Sequence, residues 1–228
     1  WEVYYDIDFS QKEDYFIEKI QDLMDESIRL HMRSDVPVGS YVSGGRDSSI
    51  VAALASQIES TDFKGFTGKF SYGKGYDESS YAKDLSQKYS FELHELDIQS
   101  EDFVSSIEKI IYHLDEPVAG PGSFPQYEIS KLASQHRKVV LGGQGGDEIF
   151  GGYARYLIAY FEQCIKGAIE GTLNNGNFVV TYESIIPNLA TLEQYKPLLK
   201  QFWSSGLFDS INKRYFDLVI RAPNLQKE

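Results

Sequence analysis

The chain has 228 residues, of which 42% are apolar and 25% are charged, and its 22 basic and 34 acidic side chains give a formal net charge of −12 at pH 7. This composition is typical of a globular protein, and no apolar run approaches the roughly 20 residues of a membrane-spanning helix, so we expect no membrane association. An acidic surface repels phosphate backbones, so we also expect no nucleic-acid partner. The single cysteine, Cys164, and an N-terminus without a signal-peptide pattern favour a cytoplasmic protein.

Helix-like and strand-like segments alternate from residue 10 to residue 141. Ser10 and Glu13 have the spacing of a capping box, and the apolar spacing behind them predicts a helix over 10–33. Short apolar runs then alternate with helical patterns, which indicates an α/β fold with a parallel sheet and helices on both faces. The predicted strands are 38–42, 64–70, 91–98 and 139–141, and the predicted helices are 48–58, 77–88, 102–113 and 124–136.

The sequence changes in character after Tyr153. Helical patterns at 156–165, 195–202 and 211–220 surround a turn-rich stretch at 171–177. We therefore predict a core domain over 1–156 and a helical extension over 157–228.

A glycine- and serine-rich turn follows the first predicted strand, with the sequence Ser43-Gly44-Gly45-Arg46-Asp47-Ser48-Ser49. Parallel sheets bind ligands at the carboxyl ends of their strands. Two glycines allow close approach of a phosphate, the three serines add hydroxyl donors, and the next helix points its positive end at the turn. Asp47 would repel phosphate unless a cation lies between them, which favours Mg²⁺. An ordinary glycine turn with a helix cap is the alternative.

This turn resembles the pyrophosphate-binding loop (PP-loop) of the ATP pyrophosphatases, which cleave ATP between the α- and β-phosphates. The stretches 33–39, 75–82, 113–117 and, above all, 139–153 resemble the glutamine-hydrolysing asparagine synthetases. The resemblance covers about 11–156 and is weak beyond. It implies a three-layer α/β/α fold of the adenine nucleotide alpha hydrolase type, with a helical C-terminal extension.

The resemblance also implies roles for residues of both glycine-rich turns. Asp47 and Asp147 would bind Mg²⁺, and Gln144 occupies the position of an acidic residue that is thought to handle the ammonia proton. A glutamine cannot be a general base, so either Gln144 only positions a reactant or another group takes the proton. Arg46 replaces the usual leucine, and we expect it to face solvent. The implied nucleotide-binding residues are Val42, Ser43, Gly44, Gly45, Asp47, Ser48, Ser49, Gly68, Gly142 and Gly143.

The implied reaction converts aspartate to asparagine with ATP, through β-aspartyl-AMP and with ammonia as the nucleophile. In the family, glutamine supplies the ammonia in an N-terminal glutaminase domain. We find neither that domain nor the family's C-terminal catalytic lysine, so we expect a fragment of a longer enzyme, and a homodimer stays open. Two alternatives remain: a ligase with another acceptor, such as a β-lactam synthetase or a peptide cyclase, and an ATP-binding module that is inactive in isolation.

Overall fold

The computed structural model describes residues 10–71, 77–115, 122–170, 196–204, 206 and 209–219. Contacts between residues divide the chain into two compact units, one up to Gln144 and one from Gly145 onward.

The first unit is built on a parallel four-stranded sheet with strand order β3-β2-β1-β4. In the central strand, Ser40 pairs with Gly65 on one side and with Leu141 on the other. This arrangement confirms the predicted α/β fold with a parallel sheet. The elements in chain order are α1 Glu13–His31, β1 Val38–Tyr41, α2 Arg46–Ile58, β2 Lys64–Lys69, α3 Ser79–Tyr89, β3 Glu92–Asp97, α4 Ser100–Leu114, α5 Ser123–Ser134 and β4 Val139–Leu141.

Helices cover both faces of this sheet. On one face, Ile28 of α1, Ala52 of α2 and Ala82 of α3 pack in one apolar cluster. On the other face, Ile110 of α4 and Ile129 of α5 pack in a second cluster. Each large apolar side chain that is buried in this way contributes about 1.5–3 kcal/mol. The three-layer α/β/α arrangement is therefore present in the first unit.

The predicted start of α1 is wrong. The helix begins at Glu13 with Lys12 as its N-cap, and no side chain caps it. A capping box needs the serine at the N-cap and the glutamate three residues later. Here Ser10 lies two residues before the N-cap and Glu13 is already the first helical residue, so the motif is out of register.

The second unit is helical where the structure describes it. The buried guanidinium of Arg214 donates to both carboxylate oxygens of Glu162, at 2.9 and 2.7 Å, and to the backbone carbonyl of Phe202 at 2.8 Å. This ion pair ties together three helices. The predicted turn-rich stretch 171–177 lies outside the described residues. The helices are α6 Gly146–Phe150, α7 Ala154–Glu170, α8 Lys196–Trp203 and α9 Ile211–Val219.

Across the described parts of both units, no helix combines the length and the apolar character that crossing a membrane requires.

Candidate nucleotide site

The turn between β1 and α2 is closed by two serine side chains. The Ser43 and Ser48 hydroxyl oxygens lie 2.8 Å apart, and the Ser43 backbone N–H donates to Ser48 Oγ at 3.1 Å. Ser48 Oγ donates in turn to the Gly45 carbonyl at 3.2 Å, and the Gly45 N–H donates to Ser43 Oγ at 3.2 Å. The hydroxyl of Ser48, which the sequence suggested as a phosphate donor, is therefore engaged in shaping the turn.

Gly44 occupies a position that only glycine fits. Its φ of +91° lies in the left-handed region, and a Cβ there would come within 2.5 Å of the backbone carbonyl oxygen of Glu78. Glu78 is the N-cap residue of α3. The start of α3 therefore packs directly on the turn.

The amino end of α2 lies next in the chain and begins two residues earlier than predicted. Its first intrahelical hydrogen bond runs from the Ser49 N–H to the Gly45 carbonyl at 3.1 Å, and Gly45 provides no side-chain cap. The backbone N–H groups of residues 46–48 therefore have no intrahelical acceptor, and the helix dipole adds positive potential there. Asp47 lies in this first turn and is half-buried, whereas Arg46 is exposed, as expected.

The turn after β4 lies against the same helix end. A Cβ on Gly143 would be 2.5 Å from the Ser48 nitrogen, 2.8 Å from the Asp47 carbonyl carbon and 3.0 Å from Asp47 Cβ. The neighbouring Gly142 leaves room for the side-chain oxygen of Gln144, which occupies the space of a Cβ. The structure therefore brings the two predicted glycine-rich turns together as far as Gln144.

A cavity of about 250 Å³ opens at the carboxyl ends of β1 and β2, beside the first turn. Of the predicted nucleotide-binding residues, Val42, Ser43 and Gly68 line it, whereas Gly142 and Gly143 do not. Its volume lies just below the roughly 300–1,000 Å³ of typical small-molecule pockets, so it can enclose only part of a molecule as large as ATP. Its apolar walls are formed by Tyr41, Phe66, Phe70, Pro125 and Ile129.

Three polar residues of this cavity were missed by sequence reasoning: Thr67, Glu78 and Gln126. Thr67 is next to the predicted Gly68 on β2, and Glu78 belongs to a stretch that carries the resemblance, so both positions had a usable signal. Gln126 had none, because it enters the cavity from the first turn of α5. The Thr67 hydroxyl is buried and has no hydrogen-bond partner among the described residues.

The predicted ligand Asp147 lies in the second unit, in the first turn of α6. Its carboxylate lies against Gly152, whose backbone N–H donates to the Asp147 carbonyl at 3.0 Å. The adjacent Glu148 accepts a hydrogen bond of 2.6 Å from the Tyr153 hydroxyl, which lowers the pKa of Glu148 and raises that of Tyr153. Glu148 is therefore held by its own loop, and Asp147 is the less engaged carboxylate.

A metal at this site would have carboxylate ligands. Within the described ranges, no three His, Cys, Asp or Glu side chains are close enough together to form a metal cage. Mg²⁺ does not need one, because it keeps several waters and takes one or two carboxylates together with phosphate oxygens. Asp47 in the first unit and Asp147 in the second each offer a carboxylate of the type that Mg²⁺ takes.

Comparison with known proteins identifies the family. The family model described as asparagine synthase matches residues 19–224, beyond Tyr156, where the recognisable motifs end. A Bacillus subtilis protein named asparagine synthetase [glutamine-hydrolyzing] 1 is 37% identical over 145 residues, which are 64% of this chain and 23% of the relative. A Methanocaldococcus jannaschii protein named putative asparagine synthetase [glutamine-hydrolyzing] 2 is 38% identical over 151 residues, which are 63% of this chain and 28% of the relative.

Other similarities are more distant. A Gibberella zeae protein named amidase chry2 is 28% identical over 171 residues, which cover 66% of this chain and 26% of that relative. Among solved structures, the NH3-dependent NAD synthetase from Campylobacter jejuni aligns with a TM-score of 0.45 and 17% identity, over 87% of this chain and 93% of that one.

The chain spans about a quarter of the length of the curated asparagine synthetases that it matches. The family model, in contrast, covers nearly all of the chain, from the first helix of the sheet-containing unit to beyond the last described helix. The chain therefore belongs to the asparagine synthase family.

Proposed function

We propose that this chain binds ATP and activates the side-chain carboxylate of aspartate as β-aspartyl-AMP, which ammonia then converts to asparagine and AMP. The observation that carries the proposal is the cavity beside the β1–α2 turn in a member of the asparagine synthase family. The cavity and the turn share Ser43, so a single molecule can occupy both. ATP has the matching division into an apolar base and a charged phosphate chain.

The geometry favours one orientation of the nucleotide. The aromatic and aliphatic walls of the cavity suit the base, and the N–H groups at the start of α2, which have no intrahelical acceptor, suit the phosphates. Gly44 and Gly45 let the chain pass close to a phosphate without a Cβ in the way. In this orientation the α-phosphate lies where the cavity meets the turn, and the aspartate carboxylate attacks there.

The main obstacle to the reaction is the repulsion between two anions, the carboxylate and the triphosphate. The start of α2 contributes oriented N–H groups and the positive end of the helix dipole. Mg²⁺, when bound, would neutralise charge on the departing pyrophosphate. We propose Asp47 and Asp147 as the residues that hold it.

Ammonia must lose a proton as it forms the amide, and Gln144 cannot take it. We therefore propose that Gln144 positions the nucleophile or the acyl-adenylate through its carboxamide and that another group takes the proton. The side-chain oxygen of Gln144 lies over Gly142, where any larger residue would displace it. Such a displacement is easy for a flexible side chain, so Gly142 influences the position of Gln144 only moderately.

The proposal is tested by pyrophosphate release from the purified protein with ATP, Mg²⁺, aspartate and ammonium. Release should require ATP, Mg²⁺ and aspartate, and it should continue beyond a single turnover only with ammonium. Asp47→Asn should reduce it at least a hundredfold, because removal of one stabilising group at a transition state typically has that effect. Arg46→Ala is the matched control, since this neighbouring side chain is exposed to solvent. Full activity in Asp47→Asn would contradict the proposal.

The acyl acceptor and the ammonia source need separate tests. The amidase name of the Gibberella zeae relative favours trying other carboxylates in the same assay. The Bacillus subtilis and Methanocaldococcus jannaschii relatives are named glutamine-hydrolyzing, so we propose a glutaminase domain as the natural ammonia source, and ammonium replaces it in the assay. We also propose a cytoplasmic location, in keeping with a single cysteine. Size-exclusion chromatography would show whether the protein forms a homodimer.

A further inference from the structure

The polar side chains of the cavity differ in how far they are already engaged. Ser43 is committed to the hydrogen bonds that close the β1–α2 turn. Gln126 is exposed, and within the described ranges its side-chain amide makes no hydrogen bond. The cavity therefore presents one carboxamide that is free to bind a ligand.

The backbone of Gln126 is held in place, although its side chain is not engaged. Its N–H donates to the Gly122 carbonyl at 3.2 Å, and its carbonyl accepts a hydrogen bond of 2.6 Å from the Ser130 hydroxyl. Pro125 and Ile129, on the same helix, are part of the apolar wall. The carboxamide thus projects from a fixed helical turn, beside the surface that suits an aromatic ring.

The part of the nucleotide that Gln126 meets follows from its surroundings. Phosphates belong at the start of α2, where the N–H groups have no intrahelical acceptor. Aspartate, which carries three charges, would lose its hydration among walls such as Phe66 and Phe70. The base is the remaining polar partner, because its ring is apolar on both faces and polar at its edge.

On this basis, which rests on the proposed ATP binding, we propose that the Gln126 side-chain carbonyl accepts a hydrogen bond from the 6-amino group of adenine. Gln126 is then the residue that selects ATP over other purine nucleotides. A carboxamide matches adenine because it offers an acceptor for the amino group and a donor for a neighbouring ring nitrogen. A 6-oxo purine presents an acceptor where adenine presents a donor, and an unsubstituted purine presents nothing.

The buried hydroxyl of Thr67 supports a polar ligand in the same cavity. It lies on β2, is only 1% exposed and has no partner among the described residues. Buried polar groups in proteins are nearly always hydrogen-bonded, and exceptions often mark places where a ligand or water belongs.

The test compares the binding of ATP with that of purine riboside triphosphate, which lacks the 6-amino group, by calorimetry in the presence of Mg²⁺. The wild-type protein should bind ATP about threefold to tenfold more tightly, the range expected for one hydrogen bond. Gln126→Leu should bind both nucleotides equally. Gln126→Glu should keep the preference for ATP, because its carboxylate still accepts from the amino group.

Gln135→Leu is the matched control, since Gln135 is an exposed glutamine at the other end of the same helix, and it should behave as the wild type. An unchanged preference for ATP in Gln126→Leu would overturn the assignment and leave the proposed function intact. A lost preference for ATP over 2′-deoxy-ATP in that variant would assign Gln126 to the ribose instead. A wild-type protein that binds no ATP would overturn both proposals.

Discussion

Replacing Gly143 by alanine should disturb the nucleotide site from a position outside the cavity. The new methyl group would lie 2.5 Å from the Ser48 nitrogen and 2.8 Å from the Asp47 carbonyl carbon, and real Cβ atoms do not approach backbone atoms so closely. Because both neighbours are backbone atoms at the start of α2, they cannot rotate away. Either the helix end or the turn after β4 must therefore move.

The steric overlap determines how much folding stability and activity the variant loses. Overpacking by one methyl group typically costs about 1–3 kcal/mol of folding stability. A displacement of about 1 Å at a reacting centre can reduce the rate about a hundredfold. We therefore expect Gly143→Ala to lower the urea midpoint, measured by far-UV circular dichroism, and to weaken ATP binding, measured by calorimetry.

Gly122→Ala is the control for folding stability. A Cβ on Gly122 meets no atom of the described residues within 4 Å, and its φ of −70° is ordinary for alanine. This variant should be as stable as the wild type or up to about 1 kcal/mol more stable. Wild-type urea stability together with wild-type ATP affinity in Gly143→Ala would show that the turn after β4 does not press on α2, and the reasoning would fail.

Three further predictions concern groups that are buried or partly buried. Thr67→Val should leave stability unchanged or raise it by up to about 1–3 kcal/mol, because it removes a hydroxyl without a partner among the described residues, and urea unfolding measures this. Burial, and then the positive charge of His136, lowers the pKa of His94. The unfolded chain therefore binds this proton first, so stability is complete above about pH 6.5 and falls as the pH decreases below it. His94→Phe should reduce the difference between urea midpoints at pH 7.5 and pH 5.5. Glu162→Gln should lower the free energy of unfolding by about 3–5 kcal/mol, because a neutral amide replaces the buried carboxylate that pairs with Arg214, and thermal unfolding would detect the loss.

Controls and contrary results separate these predictions from general damage. Lys213→Gln removes an exposed ion pair with Asp209 and should cost no more than about 1 kcal/mol. A similar loss in Lys213→Gln and Glu162→Gln would contradict the importance of the buried pair. A Thr67→Val variant less stable than the wild type would mean that the hydroxyl has a partner in the folded protein. Equal acid sensitivity in wild type and His94→Phe would exclude His94 as its source.

The strands and helices of the first unit could be predicted because the apolar spacing that specifies each element lies within the residues of that element. The apolar run 38–42 and the glycine turn after it identify a strand that is followed by a helix, whatever the rest of the chain does. The prediction of a capping box at Ser10 was wrong because it also used only a local pattern. The sequence pattern fits a cap in isolation, but the helix begins only at Glu13, three residues after Ser10.

The sequence predicted that the two glycine-rich turns form a site, but it did not predict the role of each residue within them. Sequence reasoning treated Ser48 as a phosphate donor, whereas its hydroxyl closes the turn with Ser43. The close approach of Gly143 to α2 depends on strand order, which no local pattern contains. Gln126 was missed because it reaches the cavity from α5, and its position is more than fifty residues beyond β2 in the sequence. Such a contact has no signature in one sequence.

The central claim is that aspartate is activated through AMP, and an isotope measurement tests it most directly. The purified protein would be incubated with ATP, Mg²⁺, ammonium and aspartate that carries ¹⁸O in its side-chain carboxylate. Attack of that carboxylate on the α-phosphate transfers one ¹⁸O atom to AMP when the amide forms, so mass spectrometry should find labelled AMP and unlabelled pyrophosphate. Labelled inorganic phosphate together with ADP would show attack on the γ-phosphate and would contradict the account.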